Sequence, residues 1–186
     1  MHFSKKTFLY LLIFFVTVFV LPAGLFAEDL PRGYHDITLG MTLDQTKDAL
    51  LKDSAFGYHG DRDVSLVPGT SKTLIETDSE SGHGSTFLTR CYFQFYDDSL
   101  FLITININTK KMDYYSVFKK LSEKYGEPDS LDPKSATWKT ENTTMSLEKP
   151  LTLKYIDNDT FKQTQNYSNI QQSPTEITKE MFLDEL

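Results

Sequence analysis

The side chains best suited to chemistry near neutral pH are histidines, and three stand beyond the N-terminal apolar run: His35, His59 and His83. His59 lies in Tyr58-His59-Gly60-Asp61-Arg62-Asp63 and His83 in Ser81-Gly82-His83-Gly84-Ser85, both loop-like in composition. If those loops met at one end of a sheet, His59, Asp61, Asp63 and His83 would offer the nitrogen and oxygen ligands of a metal-dependent hydrolase. None of the tight spacings that mark zinc sites is present, however, and glycine-flanked loop histidines are ordinarily solvated. The reading is therefore no cofactor and no catalytic residue, with the His59/His83 loops as the enzymatic alternative.

Other chemistry is weaker. Asp157-Asn158-Asp159 starts like a calcium loop but lacks the glycine at the sixth position and the closing glutamate. Cys91, the single cysteine, alternates with Phe93 and Phe95, which predicts a buried structural thiol rather than a nucleophile. No Gly-x-Ser-x-Gly elbow or Ser-x-x-Lys pair appears. Gly40 stands between a short apolar run and a helix start, where a phosphate loop would need several glycines and a Lys-Ser/Thr. Met41, Thr42 and Asp44 follow it instead, and an acid in the first turn repels an anion, so the glycine reads as a hinge.

The N-terminus has the order of a secretory signal: Lys5 and Lys6, apolar residues from Phe8 to Leu21, a break at Pro22-Ala23-Gly24 and a small residue at Ala27. That run is short for a membrane span, which needs roughly twenty residues. Cleavage after Ala27 is expected, giving residues 1–27 as signal; an uncleaved anchor is the alternative, because Leu25 is bulky for its place. The chain has 186 residues and a formal charge of −7, and loss of two lysines makes the secreted form more acidic. Such charge argues against nucleic acid or an anionic lipid surface as main partner. One cysteine cannot form an internal disulfide, and none follows the signal to carry a lipid.

The elements that must position these residues follow from periodicity. Thr42 and Gln45 form a capping box that predicts a helix from about Leu43 to Lys52, with Leu43 and Leu50 as a weak apolar stripe and Thr46 and Ala49 between them. Asp113 caps a second helix in which Tyr114, Phe118, Leu121 and Tyr125 recur before Gly126 and Pro128. Between them, Phe87 to Tyr96 and Phe101 to Asn108 alternate as a hairpin about Asp97-Asp98-Ser99. Phe87, Thr89, Cys91, Phe93 and Phe95 are expected on one face of the first strand, and Phe101, Ile103, Ile105 and Ile107 on one face of the second. Weaker strands are expected near Val64 to Val67 and Thr73 to Thr77, and later at Ala136 to Thr140, Thr143 to Glu148 and Leu151 to Ile156.

The order predicts an α+β fold: an antiparallel sheet with helices on one face, built of two tandem α-then-β units at about 37–108 and 112–156 within one domain at 28–156. Residues 157–172 turn polar and read as a linker. Ser173, Pro174 and Glu176 then open a short C-terminal helix over 173–186, with Ile177, Met181 and Phe182 as its apolar side.

The run Gly40-Met41-Thr42-Leu43-Asp44-Gln45, followed by Ala49-Leu50, resembles the entry to the first helix of SmpA/BamE-like envelope proteins, which accompany the outer-membrane β-barrel assembly machine. It is similar too to other secreted bacterial α/β modules, including tandem ones like the β-lactamase-inhibitor protein. Lys52 and Asp53 replace the family's Gly-x-Pro, Thr46 stands where an aliphatic residue is usual, and the lipoprotein cysteine is missing. Leu121 to Pro128 echoes the helix exit with its Gly126-Glu127-Pro128. The resemblance implies a secreted or periplasmic, non-catalytic protein that binds a protein partner in the cell envelope as an assembly or accessory factor. Arg90, Tyr92 and Tyr96 point away from the predicted core face, and with Met181 and Phe182 they are the candidate partner-binding residues. A small-ligand carrier using a groove between helix and sheet is a further alternative. Sequons at Asn142, Asn158 and Asn166 and the terminal Asp184-Glu185-Leu186 keep an ER-luminal location as the alternative to the periplasm.

Overall fold

In the computed structural model, which describes residues 29–66, 71–79 and 87–165, the capping box forms as its residues dictate. The Gln45 N–H donates to Thr42 Oγ1 at 3.2 Å, and the Thr42 N–H donates to Gln45 Oε1 at 3.0 Å. Helix α1 spans Leu43–Lys52 and buries Thr46 and Leu50. Thr46 loses nothing by burial, because its hydroxyl donates to the Thr42 carbonyl at 2.9 Å. Ahead of it, β1 (Gly33–Tyr34) and β2 (Ile37–Thr38) make a small hairpin that the sequence reading did not anticipate.

After two short 3-10 turns, Ser54–Phe56 and Asp61–Asp63, the first meander runs through β3 (Val64–Leu66), β4 (Lys72–Asp78), β5 (Leu88–Tyr96) and β6 (Ser99–Ile107). Helix α2 (Tyr114–Tyr125), capped by Asp113, opens the second meander: β7 (Ser130–Leu131), β8 (Ser135–Lys139), β9 (Thr143–Glu148) and β10 (Thr152–Asp157). All eight strands join one antiparallel sheet in the order β3-β4-β5-β6-β10-β9-β8-β7. The α+β expectation is met: a helix and a four-stranded meander occur twice, and the last strands of the two meanders pair at the centre.

Register across that centre is continuous. Ile75, Phe93, Ile103, Tyr155, Met145 and Trp138 are successive cross-strand partners from β4 to β8, and all are buried. The next row on the same face runs Thr77, Cys91, Ile105, Leu153, Leu147 and Ala136, again all buried. Both helices cover this face. Leu50 of α1 and Phe56 just after it belong to the same buried cluster, Phe56 meeting Phe93 edge-on with ring centroids 5.6 Å apart. On α2, Phe118 packs against Trp138, and the Tyr114 hydroxyl donates to the Leu147 carbonyl at 3.0 Å.

Three expectations need correction. Phe87 and Thr89 do not share the core face with Cys91: a bulge lies between Leu88 and Cys91, so Leu88 faces inward opposite Ile107 and Phe87 stays half exposed. A second irregularity sets Gln94 opposite Leu102 and Phe95 opposite Leu100, leaving Phe101 as the extra residue; it is buried but stands outside the main core. Residues 158–165, read as part of a polar linker, are helical (α3), with Asp157 Oδ1 accepting from the Thr160 N–H at 2.9 Å. The signal segment 1–27 and the helix expected over 173–186 lie outside the described residues.

The Asp97-Asp98 turn has positive φ at both positions, 49° and 58°, the geometry a two-residue hairpin demands. It also anchors α1: Asp98 Oδ1 accepts from the Leu43 N–H at 3.0 Å, while the Gly40 N–H donates to the Leu100 carbonyl at 2.8 Å. Gly40 takes φ +92° with open space where a Cβ would stand, so the strain of that dihedral is the whole cost of substituting it. At Gly57, φ is +63° and a Cβ would come within 2.5 Å of the Asp78 carbonyl oxygen. On the N-terminal hairpin, the His35 ring stacks on Tyr34, and its Nδ1 lies 2.6 Å from Asp53 Oδ2. Partial burial pushes the Asp53 carboxyl up, but the His35 hydrogen bond and the Ala55 N–H outweigh it and hold the group below the ordinary carboxylate range.

Two predictions follow from these contacts. Gly40→Ala should cost roughly 1–2 kcal/mol for the left-handed backbone. Gly57→Ala, which adds a clash with backbone, should cost more; urea midpoints that rank the two the other way would refute this geometry. Because the folded pKa of Asp53 is depressed, its contribution is complete above the ordinary value of about 3.9 and is lost as pH falls through the folded value. The stability gap between the native chain and Asp53→Asn should therefore be widest near neutral pH and shrink below about pH 4, as thermal unfolding across that range would record.

Candidate functional site

Strand alternation that sends one parity into the core sends the other to the opposite face, which α1 and α2 leave open. Its central row reads Glu76, Tyr92, Thr104, Lys154, Ser146 and Thr137 across six strands. The neighbouring row reads Leu74, Gln94, Leu102, Ile156, Thr144 and Lys139. Most of these side chains are half-buried.

Charges on this face are paired rather than gathered into one sign. Arg90 Nη1 donates to Glu76 Oε1 at 3.1 Å. Its hydrogen bond with Tyr92, then the charges of Glu76 and Asp78, raise the guanidinium pKa above its ordinary value. Lys154 Nζ donates to Glu148 Oε2 at 2.6 Å, and the Ser146 hydroxyl donates to Glu148 Oε1 at 3.2 Å. Of the expected partner-binding residues, the structure brings Arg90, Tyr92 and Tyr96 onto this one face; Met181 and Phe182 lie outside the described residues. Sequence reasoning missed Glu76, Glu148 and Lys154. Their signal was the outward parity of the weaker strands, legible once the inward parity was fixed.

Where this face meets α3, Leu74, Gln94, Phe101, Leu102, Phe161 and Thr164 line a groove of about 350 Å³ with Lys72 at its margin. Phe101 reaches it because of the β6 irregularity. Phe161 reaches it because α3 begins directly after β10 and turns back over the sheet.

The histidine loops are organised differently from the metal reading. Asp61 Oδ1 takes Lys47 Nζ at 2.9 Å, while Asp63 Oδ2 accepts from the His59 backbone N–H at 2.7 Å and lies 3.3 Å from His59 Nδ1. Asp61 thus ties the loop to α1, and Asp63 closes the loop on itself. His83 lies outside the described residues, and among those described no group of three His, Cys, Asp or Glu side chains is placed to hold a metal ion. Burial pushes the Cys91 thiol up to about 12, so at physiological pH it is a packed neutral group.

The Asp157-Asn158-Asp159 stretch is a structural clasp. Asp157 Oδ2 receives Arg32 Nη2 at 2.7 Å, and Arg32 Nη1 also donates to Thr143 Oγ1 at 3.0 Å, which ties the N-terminal hairpin to β9 and β10. The Asn158 amide donates to the Thr140 and Glu141 carbonyls and accepts from the Thr144 hydroxyl, stapling the β8–β9 turn to the start of α3. A glycan on Asn158 would break that staple, whereas Asn142 sits exposed in the turn itself.

Among the described residues, no helix is long and apolar enough to cross a membrane. No curated protein and no solved structure shows a match to the chain. The model of the TP0088 domain matches residues 32–167, well over half of the sequence, and the chain therefore belongs to the TP0088 domain family.

Proposed function

We propose that this chain is a secreted, periplasmic protein without catalysis of its own, which binds a protein partner in the cell envelope through the open face of its sheet. The observation that carries the reading is the gathering of Arg90, Tyr92, Glu76 and Lys154 on a face that neither α1 nor α2 covers. Tyrosine and arginine are the residues most enriched at interface centres, where they contribute large contact areas and directed hydrogen bonds. Ion pairs already made within the face, Arg90 with Glu76 and Lys154 with Glu148, keep their geometry on docking and so cost little ordering entropy. The order of Lys5, Lys6, the Phe8 to Leu21 run and Ala27 supports export, and the likeness of the Gly40-Met41-Thr42 helix entry to SmpA/BamE-like modules supports an envelope role.

Two measurements test it. N-terminal sequencing of the protein from the soluble extracytoplasmic fraction should begin at Glu28; a chain that starts at Met1 and stays in the cytoplasm ends the export reading. Crosslinking a tagged full-length chain in its own cells should trap one dominant envelope protein. Tyr92→Ala with Arg90→Glu should lower that yield at least tenfold while leaving the thermal midpoint within a few degrees, since both side chains stand outside the core. Equal yields from native and variant chains would place the partner surface elsewhere.

A further inference from the structure

Helix α3 is attached to the sheet differently from α1 and α2. Helix α1 buries Thr46 and Leu50, and Tyr114, Val117, Phe118, Leu121 and Tyr125 of α2 pack against the buried cluster. Over residues 158–165 only Thr164 is buried, and the one apolar side chain, Phe161, stands outside that cluster. Phe161 instead shares the groove on the open face with Leu74, Phe101 and Leu102. Local opening starts where buried apolar contacts are fewest, while the better-packed elements open only with the whole fold. By that measure α3 is the described helix least bound to the core.

What holds the first turn of α3 is polar and passes through one carboxylate. Asp157 is the last residue of β10, paired with Thr143 of β9, so the sheet fixes its backbone. Its Oδ1 accepts from the Thr160 N–H at 2.9 Å, and its Oδ2 accepts from Arg32 Nη2 at 2.7 Å. Arg32 comes from the chain just ahead of β1, and its other amino group donates to Thr143 Oγ1 at 3.0 Å. A carboxylate whose rotamer is already set by an arginine loses less freedom when it caps a helix. The Asn158 bonds to the Thr140 and Glu141 carbonyls hold the first residue of α3 and so place the hinge, but they do not reach Phe161 or Thr164. If α3 swings from that hinge, Phe161 and Thr164 leave the groove. Leu74 and Leu102, which flank Gln94 across three strands, are then uncovered together with Phe101, beside Tyr92.

We propose that α3 is a lid on the open face, latched by Asp157, and that Arg32 sets how tightly the latch holds, so that the N-terminal hairpin and the lid are coupled in energy. The lid belongs to the folded chain itself and stands or falls separately from the partner-binding reading. Hydrogen exchange of the full chain, followed by mass spectrometry on peptides over 158–165 and over β6, tests it. Residues 158–165 should exchange through an opening of their own, faster than β6. Asp157→Ala removes cap and pair together and should lower protection over 158–165 about tenfold, the scale of a lost N-cap. Arg32→Met should lower it about threefold, as loss of a surface ion pair does, and Asp157→Asn, which still caps, should match Arg32→Met. Adding Arg32→Met to Asp157→Ala should change nothing more. An unchanged rate in Arg32→Met, or a further loss in the double variant, overturns the coupling. Protection lost equally over 158–165 and β6 overturns the lid. In a Phe101→Cys chain, whose Cys91 is buried, maleimide labelling at 101 should speed up with Asp157→Ala by the same factor as exchange; labelling indifferent to that change means that α3 does not cover the apolar strip, and the lid fails.

Discussion

The pairing of β6 with β10 is the constraint on which the rest of the structure depends. Each meander ends on its most apolar strand, and left alone each would present that strand as an unpaired edge ready to template aggregation. Setting Ile103 opposite Tyr155 and Ile105 opposite Leu153 satisfies both edges and joins two half-cores into one. A slip of one residue would invert every side chain of one half relative to the other, so the buried rows and this register specify each other. The edges that remain, β3 and β7, are only three and two residues long, which limits what another chain could pair with.

That register creates the open face as much as the core. Because side-chain direction alternates strictly, alignment of Phe93, Ile103 and Tyr155 inward aligns Tyr92, Thr104 and Lys154 outward. The helices then choose the apolar side, since neither holds itself up. In α1 only Thr46 and Leu50 are fully buried, and in α2 no residue is, so both depend on the sheet beneath them for stability. The polar face is left uncovered by α1 and α2 by exclusion rather than by any motif.

What could be read from the sequence follows the same division. Capped helices and alternating strands are local signals: Thr42 with Gln45, Asp113 with Gly126, and the Cys91-Phe93-Phe95 alternation all announced their elements. The two irregularities are not local. Whether Phe87 or Leu88 faces inward depends on what Ile107 offers across the strand, and Phe101 leaves the core only because Leu100 and Leu102 keep pairing around it. Nor did composition reveal α3. Residues 158–165 are polar because one side faces water, and their helix is set by the Asp157 cap and by Phe161 meeting the sheet, a contact made with strands more than fifty residues away. The outward placement of Arg90, Tyr92 and Tyr96 was legible, since parity within one strong strand is itself a local pattern.

Gly40 shows how a local motif acquires its meaning from tertiary contacts. A helix N-terminus preceded by glycine is in principle an anion site, because its first N–H groups point outward with the positive end of the macrodipole behind them. In this chain those donors are already taken: the Leu43 N–H by Asp98 and the Gln45 N–H by Thr42. A phosphate there would have to displace two good acceptors, one of them a carboxylate of its own sign, so the site is closed to anions by occupancy and by charge. The same contacts hold the entry of α1 against the β5–β6 turn, with the Gly40 N–H on the Leu100 carbonyl fixing the approach. The glycine is thus a hinge that locks α1 onto the apolar side of the sheet. By holding the helix there, it leaves the opposite face of the sheet uncovered by α1.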